Sequence, residues 1–189
     1  MAANIIRCDL CDLVIVNQSN IWFVESLFRY EDVKKYYVLR EDHAKDIKAF
    51  CRYILAANAQ KASLNYIIYD PLGDEAGFIS AEPVMNNATG MPMWNVGYAI
   101  HPASRNKGLA TDALKGLTDH LLSNYSFQHV MLDISDDNKA SEAVAKKCGF
   151  SKPDDRMGYF DMEHPEVGMR FRWFKQLAGQ RTSYFNQAV

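Results

Sequence analysis

Residues 94–134 hold a strand, a short polar loop, an amphipathic helix and a second strand in immediate succession. The first strand, 94–100, stops at His101-Pro102, since proline has no N–H to give to a ladder. A loop over 103–107 leads into a helix expected over 108–122, with Leu109, Ala113, Leu114, Leu117 and Leu121 along one face. Val130 opens the next strand, which runs to Ile134. Two strands joined through a helix read as a parallel crossover within one sheet. That unit commits the chain to mixed α/β architecture.

The flanking segments extend the same plan. Residues 13–16 read as a buried strand, 17–20 as a turn with a helix N-cap, and 21–28 as a core-facing helix. A helix is expected from about His43 to Ala57, where Ile47, Phe50, Cys51, Ile54 and Leu55 recur at helical spacing. Strands over 64–69 and 76–81 are joined through Pro71-Leu72-Gly73-Asp74, which is strong turn chemistry. Residues 86–93 read as a loop. After the crossover comes a short helix over 138–147, with Gly149 as a left-handed C-cap. A hairpin over about 157–162 and 167–175 and a polar tail close the chain. With no repeat, low-complexity tract or linker, residues 1–189 read as one domain.

Composition excludes several classes. At 189 residues, 48% hydrophobic and 23% charged, the chain is neither disordered nor too small for a core. A net charge of −2 argues against a nucleic-acid partner, which usually meets a basic excess. No apolar run approaches the roughly 18 residues of a membrane span, and the start lacks a signal-peptide layout. The cytoplasm is therefore the expected location. Cys8, Cys11, Cys51 and Cys148 are too few for a disulfide scaffold. Cys8-x-x-Cys11 is half a zinc site at best, because no second ligand pair completes it, so no metal is expected.

The loop into the 108–122 helix carries the chemistry. The first N–H groups of a helix lack internal partners and carry the positive end of its dipole, a geometry that holds phosphate oxygens. Gly108 and the small Ala110 allow close approach, and Arg105 and Lys107 add positive charge. The segment has neither the GKS/GKT of a Walker loop nor the three glycines of a dinucleotide loop.

Four motifs stand in order: Gly97-Tyr98-x-Ile100-x-Pro102, Arg105-x-x-Gly108-x-Ala110-Thr111, Asn138-x-x-Ser141 and Lys147-Cys148-Gly149-Phe150. In this the chain resembles the GNAT superfamily of acyl-CoA-dependent N-acyltransferases, and within it the ribosomal-protein N-terminal (alanine/serine) acetyltransferase branch. The match covers residues 94–150, the expected coenzyme A-binding core.

The resemblance implies a twisted, mostly antiparallel sheet with helices on both faces. The sheet would split in a V between the strands 94–100 and 130–134. Backbone N–H groups of Asn106, Lys107, Gly108, Leu109, Ala110 and Thr111 would hold the pyrophosphate of acetyl-CoA, with Arg105 nearby. Tyr98 and Ile100 would pair with the pantetheine arm. An N–H near Ile100 would stabilise the oxyanion, typically worth about 10²–10³ in rate. Asn138 would bond the pantetheine amides, and Ser141 would cap the short helix or touch the same arm. The implied reaction is direct acetyl transfer to a primary amine, on a protein N-terminus or a small molecule, in a ternary complex.

The family's usual proton-transfer residues are partly missing. Many relatives place Glu just before Gly-Tyr, where this chain has Asn95. Asp133, five residues before Asn138, matches the glutamate assigned as base in related alanine acetyltransferases. Its strand neighbours Val130, Leu132 and Ile134 point to one sheet face and Asp133 to the other. A carboxylate in a covered strand costs several kcal/mol unless paired or solvated, which suits a cleft. Glu82 is the second candidate base. The acid-bearing tyrosine position of many relatives is Ala145 here, leaving water, Tyr98 or Tyr159 to protonate the leaving thiolate. His101 reads as a turn residue and Cys148 as a buried one, which argues against an acyl-cysteine.

The missing Glu and Tyr also fit a non-catalytic acyl-CoA-binding or sensor relative, the rival from another class. Acceptor choice is expected from residues 17–40, 86–93 and the C-terminal hairpin. The aromatic group Phe171, Trp173, Phe174 and Tyr184 suits core, acceptor pocket or dimer surface. Monomer and homodimer are both compatible with the chain.

Overall fold

The computed structural model describes residues 4–85, 90, 92–127, 129–152, 158–160 and 169–176. In chain order these form β1 (Ile5–Arg7), β2 (Asp12–Ile15), α1 (Ile21–Leu27), α2 (Glu31–Tyr36), α3 (Glu41–Lys45) and α4 (Ile47–Gln60). Then come β3 (Leu64–Tyr69), β4 (Glu75–Met85), β5 (Pro92–Ile100), a 3-10 turn (Pro102–Ser104) and α5 (Leu109–Asn124). The chain continues through β6 (His129–Ser135), α6 (Lys139–Lys147), β7 (Gly158–Phe160) and β8 (Met169–Gln176).

Among the described residues, the strands β1 to β8 share one sheet in the order β1-β2-β3-β4-β5-β6-β8-β7. Neighbours from β1 to β5 are antiparallel, as are β6 with β8 and β8 with β7. Among the described residues, only β5 and β6 run parallel, joined through α5 as the crossover requires. Their pairing is brief: Trp94 faces Val130, Asn95 faces Met131, and the strands then part. The expected fold class and the split at this seam are both present.

Strand alternation sends the sheet's apolar residues to two cores. On one face Ile79, Ala81, Trp94, Val96, Val130, Leu132 and Ile134 bury the α5 stripe of Leu109, Ala113, Leu114, Leu117 and Leu121. On the other, Ile67, Phe78 and Ala99 bury Phe23, Val24 and Leu27 of α1 with Phe50 and Ile54 of α4. Burying each large side chain contributes about 1.5–3 kcal/mol, so both helix layers are held firmly against the sheet.

Several boundaries depart from expectation. The helix expected over 43–57 is two helices, broken at Asp46 in extended conformation (φ −132°, ψ 93°). The Asp46 carboxylate accepts from Lys48 N at 2.9 Å and caps α4, a local bond that outweighs continuous helix. Asn20 occupies the N-cap position of α1, but its side chain accepts from Asn17 N at 2.8 Å and makes no cap bond. The strand expected to end at Ala81 continues to Met85, paired with β5 as far as Pro92, so Glu82 lies inside it. Met93, expected in a loop, lies within β5; residues 86–89 and 91 fall outside the described residues. β1 and α2 had no expected counterpart. In α2, acidic Glu31 and Asp32 in the first turn and Lys34 and Lys35 in the last complement the helix dipole.

Candidate active site

Where β5 leaves β6, the sheet opens into a cleft of about 720 Å³. Val96, Gly97, Tyr98, Ala99 and Ile100 form one wall, and Leu132, Asp133, Ile134 and Ser135 form the other. Alternation along β5 decides which backbone groups face the gap. The N–H of His101 bonds the carbonyl of Ala76 on the β4 side at 2.8 Å. One residue earlier, Ile100 therefore turns its N–H and carbonyl toward the open edge, as does Tyr98. Arg105 Nε meets the Ile100 carbonyl there at 3.2 Å.

The floor of the cleft is the N-terminus of α5. Asn106 (φ 62°) and Gly108 (φ 83°) are both left-handed and bend the chain sharply into the helix. Gly108 takes this conformation without steric cost. Like α1, α2 and α3, α5 has no side-chain cap, so its first N–H groups, which face the cleft, stay open to a ligand. Successive N–H groups in a turn of this kind make an anion-binding concavity.

Of the residues expected to bind cofactor, Tyr98, Ile100, Arg105, Asn106, Gly108, Leu109, Ala110, Thr111, Asn138 and Ser141 all line this cleft. Lys107 is exposed on the loop and lies outside the lining. Asn138 caps α6, its side-chain oxygen accepting from Ser141 N at 3.1 Å, and also lines the cleft. Tyr98 donates to the Ser141 carbonyl at 3.5 Å, and burial pushes its phenol up to about 12.

Asp133 and Glu82 stand on the same sheet face in the cleft wall, both half-buried. Glu82 sits directly across the ladder from Asn95, so a carboxylate reaches this region from β4 although Asn95 supplies none. The Tyr53 hydroxyl donates to Glu82 Oε1 at 3.1 Å. Asp133 is half-buried in β6, opposite Arg172 in the β8 register.

Cys148 donates to the Thr111 carbonyl at 3.3 Å, and burial raises its thiol, consistent with an inert turn residue. His101 accepts from Ala103 N at 3.3 Å through Nδ1 and meets the Tyr30 hydroxyl at 3.0 Å through Nε2. Nδ1 is thus engaged within the turn and Nε2 by Tyr30 from the segment between α1 and α2. Tyr159, Phe171, Trp173 and Phe174 lie on strands β7 and β8, with side chains outside the described residues, as is Tyr184.

The segment from α2 to α4 completes the site in a way that residue spacing did not reveal. Tyr37 rests on Gly97, where an added Cβ would meet the ring at 3.0–3.3 Å. Its hydroxyl contacts Ser80 Oγ at 2.6 Å, and burial raises its pKa. Arg40, His43 and Tyr53 extend the same wall. The charge layout of Glu31, Asp32, Lys34 and Lys35 was the available signal for α2.

Among the described residues, no helix is long and apolar enough to cross a membrane. A family model described as an acetyltransferase (GNAT) domain matches residues 21–151. The curated protein sequences contain no match.

Solved structures match at fold level. A ribosomal L7/L12 alpha-N-protein acetyltransferase in complex with coenzyme A is similar with a TM-score of 0.73 at 14% identity, covering 93% of this chain and 99% of that one. A ribosomal-protein-S5-alanine acetyltransferase from Vibrio fischeri gives 0.73 at 12%, covering 94% and 98%. A spermidine N-acetyltransferase from Vibrio cholerae, with coenzyme A and spermine, gives 0.71 at 12%, covering 88% and 95%. With its fold, its split sheet and a family model spanning most of its length, the chain belongs to the GNAT acetyltransferase family.

Proposed function

We propose that this protein transfers an acetyl group from acetyl-CoA directly to a primary amine, with residues 1–189 acting as one catalytic domain. The observation that carries the reading is the uncapped N-terminus of α5 at the floor of the cleft between β5 and β6. The pyrophosphate would lie against the N–H groups of Asn106, Gly108, Leu109, Ala110 and Thr111, with Arg105 and Lys107 adding charge. The pantetheine arm would continue the ladder along Tyr98 and Ile100, reach Asn138 and Ser141, and present its thioester carbonyl to the Ile100 N–H. Hydrogen bonding there favours the tetrahedral oxyanion over the planar thioester.

The amine enters from the face carrying Tyr37, Tyr53, Glu82 and Asp133. It attacks only when neutral, and Asp133, directly or through one water, takes the proton that the nitrogen loses. Glu82, fixed by Tyr53, orients the incoming amine. An α-amine with pKa about 7.7–8.0 has a neutral fraction a few hundred-fold above that of lysine near 10.4, so an N-terminal acceptor asks least of this base. Tyr98, a neutral phenol against α6, or water would return a proton to the leaving thiolate.

Melting with saturating acetyl-CoA, against NADH and ATP, tests the cofactor half. A selective rise of about 5–10 °C is expected at 100 times Kd. Thiol release across α-amine peptides, lysine, polyamines and aminoglycosides tests the transfer half. No shift sinks the whole reading; a shift without thiol release favours a non-catalytic acyl-CoA binder.

A further inference from the structure

Outside the cleft, against the first turns of α5, the β1–β2 hairpin turns through Cys8-Asp9-Leu10-Cys11. Cys8 N donates to the Cys11 carbonyl at 2.9 Å, which holds the two cysteines side by side. The tertiary structure brings a third group that lies far away in sequence. Asp112, in the first turn of α5, accepts from Leu10 N at 2.7 Å and from the Cys11 thiol at 3.4 Å through Oδ2, and from Asp9 N at 3.3 Å through Oδ1. The two sulfurs and a carboxylate oxygen all lie within 4.8 Å of one another.

We propose that Cys8, Cys11 and Asp112 form a binding site for one zinc-class divalent cation, with a fourth position open to solvent. A tetrahedral ion with bonds of about 2.3 Å to sulfur and 2.0 Å to oxygen needs its donors roughly 3.5–4 Å apart, within the spacing found. The carboxylate is already oriented by two backbone N–H groups, the outer-shell support that ligating carboxylates usually receive. Cys11 is only 5% exposed, while Cys8 borders a surface pocket of about 360 Å³ shared with Asp112 and Gly116. Cys8 is seated on bare helix backbone: a Cβ on Gly116 would lie 2.3 Å from its sulfur.

Charge points the same way. Asp9 and Asp12 stand near Cys8 in addition to Asp112, while Arg7 is paired with Asp12 and Lys115 with Asp119. Carboxylates this close to the two sulfurs suit a bound cation. On binding, Cys8 and Cys11 each lose a proton to solvent, and two thiolates and one carboxylate bond the dication. The ion would tie the hairpin to the helix turn beside the cofactor loop, where Leu10 Cδ1 lies 3.3 Å from the site of a Gly108 Cβ.

Reduced, chelator-treated protein titrated with cadmium, then displaced by zinc, tests the site. One ion per chain is expected, with thiolate-to-metal charge-transfer absorption and release of about two protons. Cys8→Ser should halve that absorption and Cys8→Ser/Cys11→Ser abolish it. Asp112→Asn should weaken affinity by at least about tenfold while sparing the absorption per bound ion. Should the cysteine variants misfold, metal protection of Cys8 and Cys11 from alkylation, mapped by mass, reads the same contacts in the unaltered chain. No absorption in the unaltered protein, absorption that survives the double substitution, or protection confined to Cys51 and Cys148 overturns the site. Unchanged affinity in Asp112→Asn overturns its three-ligand form.

Discussion

Arg105, at the end of the β5 wall, is ion-paired with Asp32 on α2. On the far lip, Lys35 of the same helix reaches Asp137 beyond β6 at 2.6 Å. α2 thus bridges both sides of the opening through which a coenzyme would enter. An arginine expected to meet phosphate is held by a carboxylate, and the two anions compete for it. Asp32→Asn should therefore tighten acetyl-CoA binding by up to about fivefold, since an exposed pair is worth no more than about 1 kcal/mol. Arg105→Ala should weaken it by about 10–100-fold, as expected for loss of a charge-assisted hydrogen bond. Titration calorimetry of both variants checks the pair; equal affinity in all three proteins would remove Arg105 from the phosphate site.

The same bridge should fail in acid. Arg105 holds the Asp32 carboxyl below the usual carboxylate range, and Lys35, helped by Ser135, does so for Asp137. A carboxyl with depressed folded pKa stabilises the fold above its unfolded value near 3.9, and that stabilisation is lost as pH falls through the folded pKa. Melting temperatures of the unaltered protein and of Asp32→Asn/Asp137→Asn should differ at pH 7 and draw together as pH falls below about 4. A difference that stays constant from pH 7 down to acid unfolding would show that the pairs carry no linkage.

Asp133→Asn should lower kcat by about 10²–10⁴-fold with acetyl-CoA binding kept, as for loss of a general base. Glu82→Gln should chiefly raise KM for the amine, because Glu82 orients it. Steady-state kinetics and the pH profile separate the two roles. The inverse pattern would transfer the base to Glu82, and an unchanged profile in Asp133→Asn would remove Asp133 from proton transfer.

Cys148→Ala should retain most of the turnover, because Cys148 is buried with a raised pKa and bonded to the Thr111 carbonyl. Loss of activity with a trapped acetyl-enzyme in the unaltered protein, seen by intact mass, would reinstate an acyl-cysteine route.

Gly77→Ala should destabilise the fold by about 1–3 kcal/mol, the usual cost of overpacking. Its Cβ would fall 2.5 Å from the Ala99 carbonyl oxygen and 2.9 Å from Ile100 Cδ1, pressing β4 away from the cleft wall. A fall in melting temperature of about 2–12 °C is expected.

Local chemistry made much of this protein legible in advance. The proline stop after Ile100, the leucine stripe of α5, the Asn138 cap and Gly108 each act through neighbours a few residues away, so residue order reveals them. The same holds for the motifs from Gly97 to Phe150, whose backbone roles follow from where a strand ends and a helix begins. Other relationships depend on packing between distant segments. Glu82 stands opposite Asn95 only because β4 continues past Ala81, and Asp112 reaches Cys8 and Cys11 only because α5 lies under the first hairpin. Asp32 meets Arg105, and Tyr37 covers Gly97, because α2 is carried over the split sheet by the core beneath α1 and α4. Periodicity is blind to such pairs: they are set by which faces share a core and in what register, and those are properties of the assembled sheet.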